Sequence, residues 1–284
     1  MSEARDMDSA ADRIRTALSH RFGEEFSVDP DLPGLDVLAM IAARRVQRRY
    51  LPRPIEPALL RLLCACALSG PTKSDLQQAD IVVVRERVKH DAIADLLPDM
   101  PWARDAGAFL VFCADGRRTP RIAAMRDKPF PNDHLDLFFN ATVDAAIVMT
   151  TFMQAVNAVG LGCCPISVIR DHAERVSALL ELPEKVVPVA GMTVGWPAEP
   201  GHPSARLPLA VTLHEDRYGE ENFAAHVDAY DRRRAKIHTM RQRDVKQWGE
   251  AAFYGWSEDK ARQYATLQRA DFGAFVRAKG FKLD

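Results

Sequence analysis

The sequence is notable first for what it lacks. Its 284 residues carry 38 Lys and Arg against 39 Asp and Glu, a formal net charge of −1. That balance argues against a nucleic-acid coat or a polybasic membrane anchor, since each needs a broad basic excess. No uninterrupted apolar run approaches the ~20 residues needed to cross a bilayer, and the opening "MSEARDMDSAADRIRTALSH" mixes acids with bases, unlike a signal peptide. The simplest expectation is a cytoplasmic protein with neither nucleic-acid nor membrane partners. The five cysteines (64, 66, 113, 163, 164) form no CxxC pair, and an odd number does not suggest a secreted disulfide framework. The adjacent Cys163 and Cys164 read as packing residues, because neighbouring cysteines bridge only through a strained ring. The eight histidines contain no pair at metal-ligand spacing within one helix, so no metal site is expected. There is no G-x-G-x-x-G after a strand, no P-loop, no H-E-x-x-H and no G-x-S-x-G.

What is present is an ordinary globular composition, 47% hydrophobic and 27% charged, in a chain long enough to bury a sizeable core. Residues 9–22 have helical spacing, with Ile14, Ala17 and Leu18 on one side. "LDVLAMIAARR" reads as a helix that ends in basic residues. Pro57 suits the first turn of another. "ADIVVV" and "AFLVFCAD" read as buried strands, and "VVPVAGMTVGWP" and "LPLAVTLHE" as further ones. Between Asn132 and Val159 lies a long apolar helical stretch whose one mid-segment charge is Asp144. A helix apolar on most sides is buried in a core or against another subunit. From Asp216 the chain is polar and helical. Strands alternate with helices, and four or five strands are expected in an α/β or α+β arrangement.

Four places are chemically unusual. "ARRVQRRY" holds Arg44, Arg45, Arg48 and Arg49 in six positions. Such a run is either a solvated face or a grip on something anionic, and guanidinium groups bind phosphate bidentately. "GPTKSDLQ" combines a break in regularity with small hydroxyls, an ammonium and an acid. "GLGCCPISVIR" has backbone N–H groups available as the chain leaves the long helix. "SARLP" adds another cation, Arg206, at the start of the last expected strand.

In this order and spacing the segments resemble the nitroreductase family of flavin-dependent oxidoreductases. "RRVQRRYLPRPIEP" is similar to the family's N-terminal phosphate-binding segment. "CALSGPTKSDLQQADIVVV" is similar to its second loop and following strand, and "GLGCCPISVIRDHAERVSALLELPEKVVPVAGMTVGWP" to its most diagnostic region. "ARLPLAVTLHEDRY" resembles the branch containing nitrofuran reductases and NADPH-flavin oxidoreductases, which carries a C-terminal extension. The likeness runs from about Ala42 to Pro208.

The resemblance implies an α+β nitroreductase-type fold: a central, mostly antiparallel sheet of four to five strands, flanked by helices, in an intertwined homodimer. Residues 1–40 would be an N-terminal helical extension, 41–215 the FMN-binding core, and 216–284 a helical extension wrapping the partner subunit. The long helix would lie at the dimer interface, and Tyr254 and Trp256 would help cover the active site. FMN would be bound non-covalently, its phosphate held by Arg44 and Arg45 with Arg206 from the far segment. Arg48 would lie near the flavin N1/O2 edge, where a cation favours the reduced, anionic ring. Thr72, Lys73 and Ser74 would follow the ribityl chain and pyrimidine. Asp75 stands where the family often has Asn, so it accepts from N3–H but cannot donate to O4. Gln77 matches the loop's closing residue. Pro165, Ile166 and Ser167 would lay their backbone against the ring near N5. Val46 replaces the usual Ser, and Ser204 stands where the branch often has Lys.

No side chain is expected to act as general acid or nucleophile, because the flavin carries the chemistry. The implied reaction is ping-pong: NADPH or NADH delivers hydride, and a small-molecule acceptor (nitroaromatic, quinone or flavin) takes it up. Two alternatives remain open at this point. One is an FMN-dependent dehydrogenase or desaturase of a specific metabolite; the other is a non-catalytic flavin-binding sensor.

Overall fold

The computed structural model describes residues 9–284. In chain order its helices and strands are α1 (Ala10–Phe22), α2 (Leu35–Ala43), α3 (Pro57–Leu68), β1 (Ala79–Val84), α4 (Arg87–Asp95), β2 (Ala108–Asp115), α5 (Arg118–Met125), α6 (Leu135–Ala158), β3 (Gly162–Ile166), α7 (Ala173–Leu179), β4 (Val186–Gly195), α8 (Leu209–Thr212), α9 (Phe223–Ile237), α10 (Val245–Trp248), α11 (Trp256–Tyr264) and α12 (Phe272–Ala278). They fall into two compact units. One comprises the chain up to Arg45 together with His202–Gln268; the other comprises Val46–Gly201 with Arg269–Asp284.

The second unit is built on a four-stranded, wholly antiparallel sheet in the order β1-β2-β4-β3. Every residue of β2 is buried, as its run of apolar residues requires of a central strand covered on both faces. Its side chains alternate between those faces. Leu110 and Phe112 join Leu60, Leu63, Val148 and Phe152 of α3 and α6 in one core. Phe109, Val111 and Cys113 pack with Ile93, Leu97, Ile169 and Val176 in the other. Close approach fixes one glycine here: a Cβ on Gly191 of β4 would stand 2.8 Å from Phe109 Cζ. The C-terminal segment closes a third cluster, in which Val276 and Phe281 meet Ala114, Leu137, Ala141 and Val187.

Helix α6 is long and apolar enough, by length and composition alone, to cross a bilayer. One face packs into the sheet core through Ala145, Val148, Phe152 and Val156, while a stripe of Leu135, Phe139 and Val143 is exposed in the single chain.

The first unit is helical. Ala11, Ile14, Ala17 and Arg21 form the buried face of α1, and Arg13 reaches Asp36 of α2 at 2.6 Å. Two expectations are corrected here. The strand expected in "LPLAVTLHE" is absent: Pro208 leads into the short helix α8, and this unit offers no strand among its described residues for that segment to pair with. Arg206 therefore lies in an irregular segment. The arginine run also lies beyond a helix, not on one, because α2 ends at Ala43 and Arg44 turns extended with ψ 136°.

Candidate flavin site

In the first unit, Arg21, Arg44, Arg206 and Arg234 line one cavity of about 470 Å³, together with Phe22, Ile41, Tyr230 and Trp256 among others. Arg44 and Arg206 thus come together although they are far apart in sequence. Arg45, the third expected phosphate ligand, is half-buried and donates to the Ala43 carbonyl at 3.4 Å; it does not line the cavity. Among the described residues none of the four lining arginines has a carboxylate within ion-pair distance. Arg234 donates to Tyr230 Oη at 3.0 Å, but its buried Nε has no partner among the described residues. Burial, with the nearby cations of Arg206 and Arg44, pushes the pKa of Arg21 down to about 10. Concentrated guanidinium charge of this kind, without acids, suits a multiply charged oxyanion such as a phosphate group.

The cavity walls are tied down from both directions. Arg21 Nε donates to Ala42 O at 2.6 Å, and its terminal nitrogens donate to Ser204 O at 3.0 Å and to Arg44 O. The Arg206 N–H donates back to Arg21 O at 2.7 Å. Arg233 of α9 donates to His20 O and Arg21 O, both at 3.0 Å, and to Arg206 O at 2.7 Å. Gly23 ends α1 in the left-handed conformation, φ 76°, and a Cβ there would meet Arg233 Nε at 2.5 Å. Tyr230 sits edge-on to Trp256 at 5.3 Å.

The remaining sequence-predicted residues belong to the second unit. Residues 46–50 run beside β3. The Gln47 N–H donates to Cys163 O at 2.9 Å, and the buried Gln47 amide donates to Arg49 O and Glu199 O. Tyr50 Oη donates to Gln47 O at 2.6 Å and lies 2.8 Å from Thr193 Oγ1. Burial raises the Tyr50 pKa above its ordinary value, so the phenol keeps its proton for these bonds. Val46 is half-buried, and Arg48 is exposed with its guanidinium 5.9 Å from the centre of the Trp102 ring.

The loop over residues 72–77 is held in an uncommon conformation. Ser74, Asp75 and Gln77 all have positive φ, at 49°, 56° and 53°. Non-glycine residues there cost energy unless their surroundings over-determine them. The surroundings do so here. Fully buried Asp144, at the middle of α6, accepts from Lys73 N–H and Gln78 N–H, each at 3.0 Å. Thr72 Oγ1 accepts from Gln77 N–H at 3.3 Å, and Gln77 Nε2 donates to Asp75 Oδ1 at 3.1 Å. Arg118 donates to Gln77 O and to Asp80. Lys73, Ser74 and Asp75 are exposed. Pro165 and Ile166, expected in an open loop, instead form the end of edge strand β3 opposite Met192 and Gly191, and exposed Ser167 begins the turn that follows.

Sequence reasoning missed Arg21, Arg233 and Arg234. For Arg21 a signal existed: it follows Ala11, Ile14 and Ala17 at helical spacing, so periodicity placed it on the buried face. Asp144 was visible as the one mid-segment charge of an apolar helix, but its role needed the loop's position.

A four-stranded antiparallel sheet sandwiched by helices defines an α+β protein, and the cavity of its other unit concentrates guanidinium groups. The nitroreductase family model matches residues 41–196, and the model of the family's C-terminal domain matches residues 204–284. The chain belongs to the nitroreductase family. It is 27% identical over 253 residues to an FMN reductase [NAD(P)H] of Bacillus subtilis, covering 88% of this chain and 99% of that one. It is 30% identical over 184 residues to an oxygen-insensitive NADPH nitroreductase of Salmonella typhimurium, covering 64% and 74%. Among solved structures, the NADPH:FMN oxidoreductase of Vibrio harveyi, complexed with NAD+, superposes with a TM-score of 0.73 at 27% identity, covering 86% and 98%.

Proposed function

We propose that this protein is an FMN-dependent NAD(P)H oxidoreductase acting on small electron-poor acceptors. The observation that carries the proposal is the convergence of Arg44 and Arg206 on one acid-free, arginine-lined cavity in a chain of this family. The donor set fits the group: a phosphate ester offers several acceptor oxygens and up to two negative charges, and the cavity offers guanidinium forks. In the first unit Arg44 and Arg206 bind the phosphate, and Arg45 adds positive potential from outside the cavity wall. The family resemblance also assigns cofactor contacts to Arg48, the loop of Thr72, Lys73, Ser74, Asp75 and Gln77, and the Pro165–Ser167 turn, all of which belong to the second unit.

The chemistry supplied by bound FMN is two-electron transfer from NADPH or NADH to a nitroaromatic, quinone or flavin. The protein's own residues bind, orient and tune. Asp144 fixes the backbone of the 72–77 loop, so its polar groups are ordered before the ligand arrives. Arg48 is the cation proposed to stabilise negative charge on the reduced ring. Val46 contributes no hydroxyl, so anion binding rests on guanidinium groups.

The working form proposed is a cytoplasmic homodimer, its interface including the exposed α6 stripe of Leu135, Phe139 and Val143. Residues 41–215 are proposed as the cofactor-binding core, with 1–40 preceding it. Of 216–284, the stretches around Tyr230, Trp256, Val276 and Phe281 pack on their own chain, and only the remainder is proposed to reach the partner subunit. The test is an absorbance spectrum of the purified protein followed by anaerobic titration with NADPH. Oxidised-flavin bands that bleach on titration support the proposal. A colourless protein that takes up no added FMN refutes it. Replacing Arg44 and Arg206 together by Gln should abolish FMN retention with the far-UV circular dichroism unchanged.

A further inference from the structure

From these contacts we infer that Arg21, in a helix outside both matched family segments, is a positioning residue that holds the two halves of the anion clamp together. The inference rests on the reading of the cavity as the FMN phosphate site. Arg44 and Arg206 approach the cavity from separate stretches of chain, and a clamp of two arginines works only if their main chains keep a fixed separation. Arg21 sets that separation. Its guanidinium donates to the carbonyls of Ala42 and Arg44 on one side and of Ser204 on the other. Its own carbonyl takes the Arg206 N–H. Arg233 repeats the stitch, linking the end of α1 to the Arg206 carbonyl. The Arg206 peptide is therefore gripped on both its N–H and C=O sides.

The geometry favours this role over ordinary packing. Arg21 is 6% exposed, yet it pairs with no acid among the described residues; all three of its bonds go to main-chain oxygens that frame the cavity. Burying an arginine beside two others is costly, and a bound phosphate offsets that cost. A planar fork suits the task because it reaches three carbonyls in fixed directions, which a lysine ammonium cannot do.

The test compares FMN with riboflavin, which carries the same ring without the phosphate. Equilibrium binding of each is measured on flavin-free wild type, Arg21→Gln and Arg21→Lys. Wild type should prefer FMN. Both variants should lose FMN affinity by about tenfold or more, as when a group orienting a binding residue is removed, and riboflavin affinity should not change. A wild type that binds both flavins equally removes the phosphate reading itself. A wild type that prefers FMN, with variants that keep the wild-type ratio or lose both flavins in parallel, overturns the inference about Arg21 alone. Should neither variant fold, hydrogen exchange on wild type decides: FMN, and not riboflavin, should slow exchange across residues 19–23 as well as 203–207. Unchanged exchange at 19–23 would overturn the inference.

Discussion

Replacing Asp144 by Asn should loosen a segment that lies far from it in sequence. The carboxylate accepts the Lys73 and Gln78 N–H groups, each at 3.0 Å, in a fully buried setting. The amide keeps one acceptor oxygen but turns an NH2 group toward the other N–H, so one bond is lost and two donors face each other. A hydrogen bond to a buried charged group contributes about 1.5–3 kcal/mol, and an orphaned buried donor costs about 1–3 kcal/mol. The loop also holds three non-glycine residues at positive φ, a strain of about 1 kcal/mol or more each that Asp144 helps to offset. The expected loss is about 2–4 kcal/mol, part of it local. Chemical denaturation should show a lower midpoint, and hydrogen exchange should show the amides of residues 73–78 opening well before the sheet. FMN affinity should fall with them. If Asp144→Asn leaves both the midpoint and the 73–78 exchange rates at wild-type values, the carboxylate does not hold this loop and the reasoning fails.

Other outcomes follow from the same geometry. Because the cavity concentrates cations without acids, phosphate or sulfate should raise the melting temperature more than chloride at matched ionic strength, and FMN more still; a ligand at a hundred times its dissociation constant contributes about 2.7 kcal/mol. Equal melting temperatures in sulfate and chloride would count against an anion site. Gly191→Ala should cost about 1–3 kcal/mol by overpacking against Phe109, readable as a lower denaturation midpoint with the fold retained. Phe139→Glu should shift the sedimentation profile from dimer to monomer if the α6 stripe is the subunit contact. Lys185 and Lys282 hold the Asp133 carboxyl below the usual range. The folded state thus binds that proton less readily than the unfolded chain. The pair's contribution is fully present above about pH 4 and is lost as pH falls through the depressed pKa. Lys185→Met should flatten the acid limb of the stability curve.

Much of this architecture is legible in the residues alone. The runs "ADIVVV", "AFLVFCAD" and "VVPVAGMTVG" read as buried strands, and they are β1, β2 and β4; β2 and β4 are buried, whereas β1 lies at the sheet edge and is only half-buried along its middle. The one mid-segment acid of the long helix, Asp144, is visible as well. What stays hidden depends on partners distant in sequence. "LPLAVTLHE" has the composition of a strand, but a strand needs an edge to pair with, and composition does not say whether one is near. "GCCPI" has too few β-branched residues to read as a strand, yet it pairs along β4, and Gly162 at its start leaves room for Gln47. Arg21 is legible only in part: helical spacing puts it on the buried face of α1, but the carbonyls of Ala42, Arg44 and Ser204 that it meets there come from distant segments.

Arg21 takes hold of carbonyl oxygens, which every amino acid possesses, and of no neighbouring side chain. Positions 42, 44 and 204 are thereby free to change identity as far as this staple is concerned, and substitutions there should accumulate without slackening it. Inserting a single residue between α2 and Arg44, or adding or deleting one just before Ala205, would shift the oxygens out of reach. The segment should therefore tolerate altered spelling but not altered length.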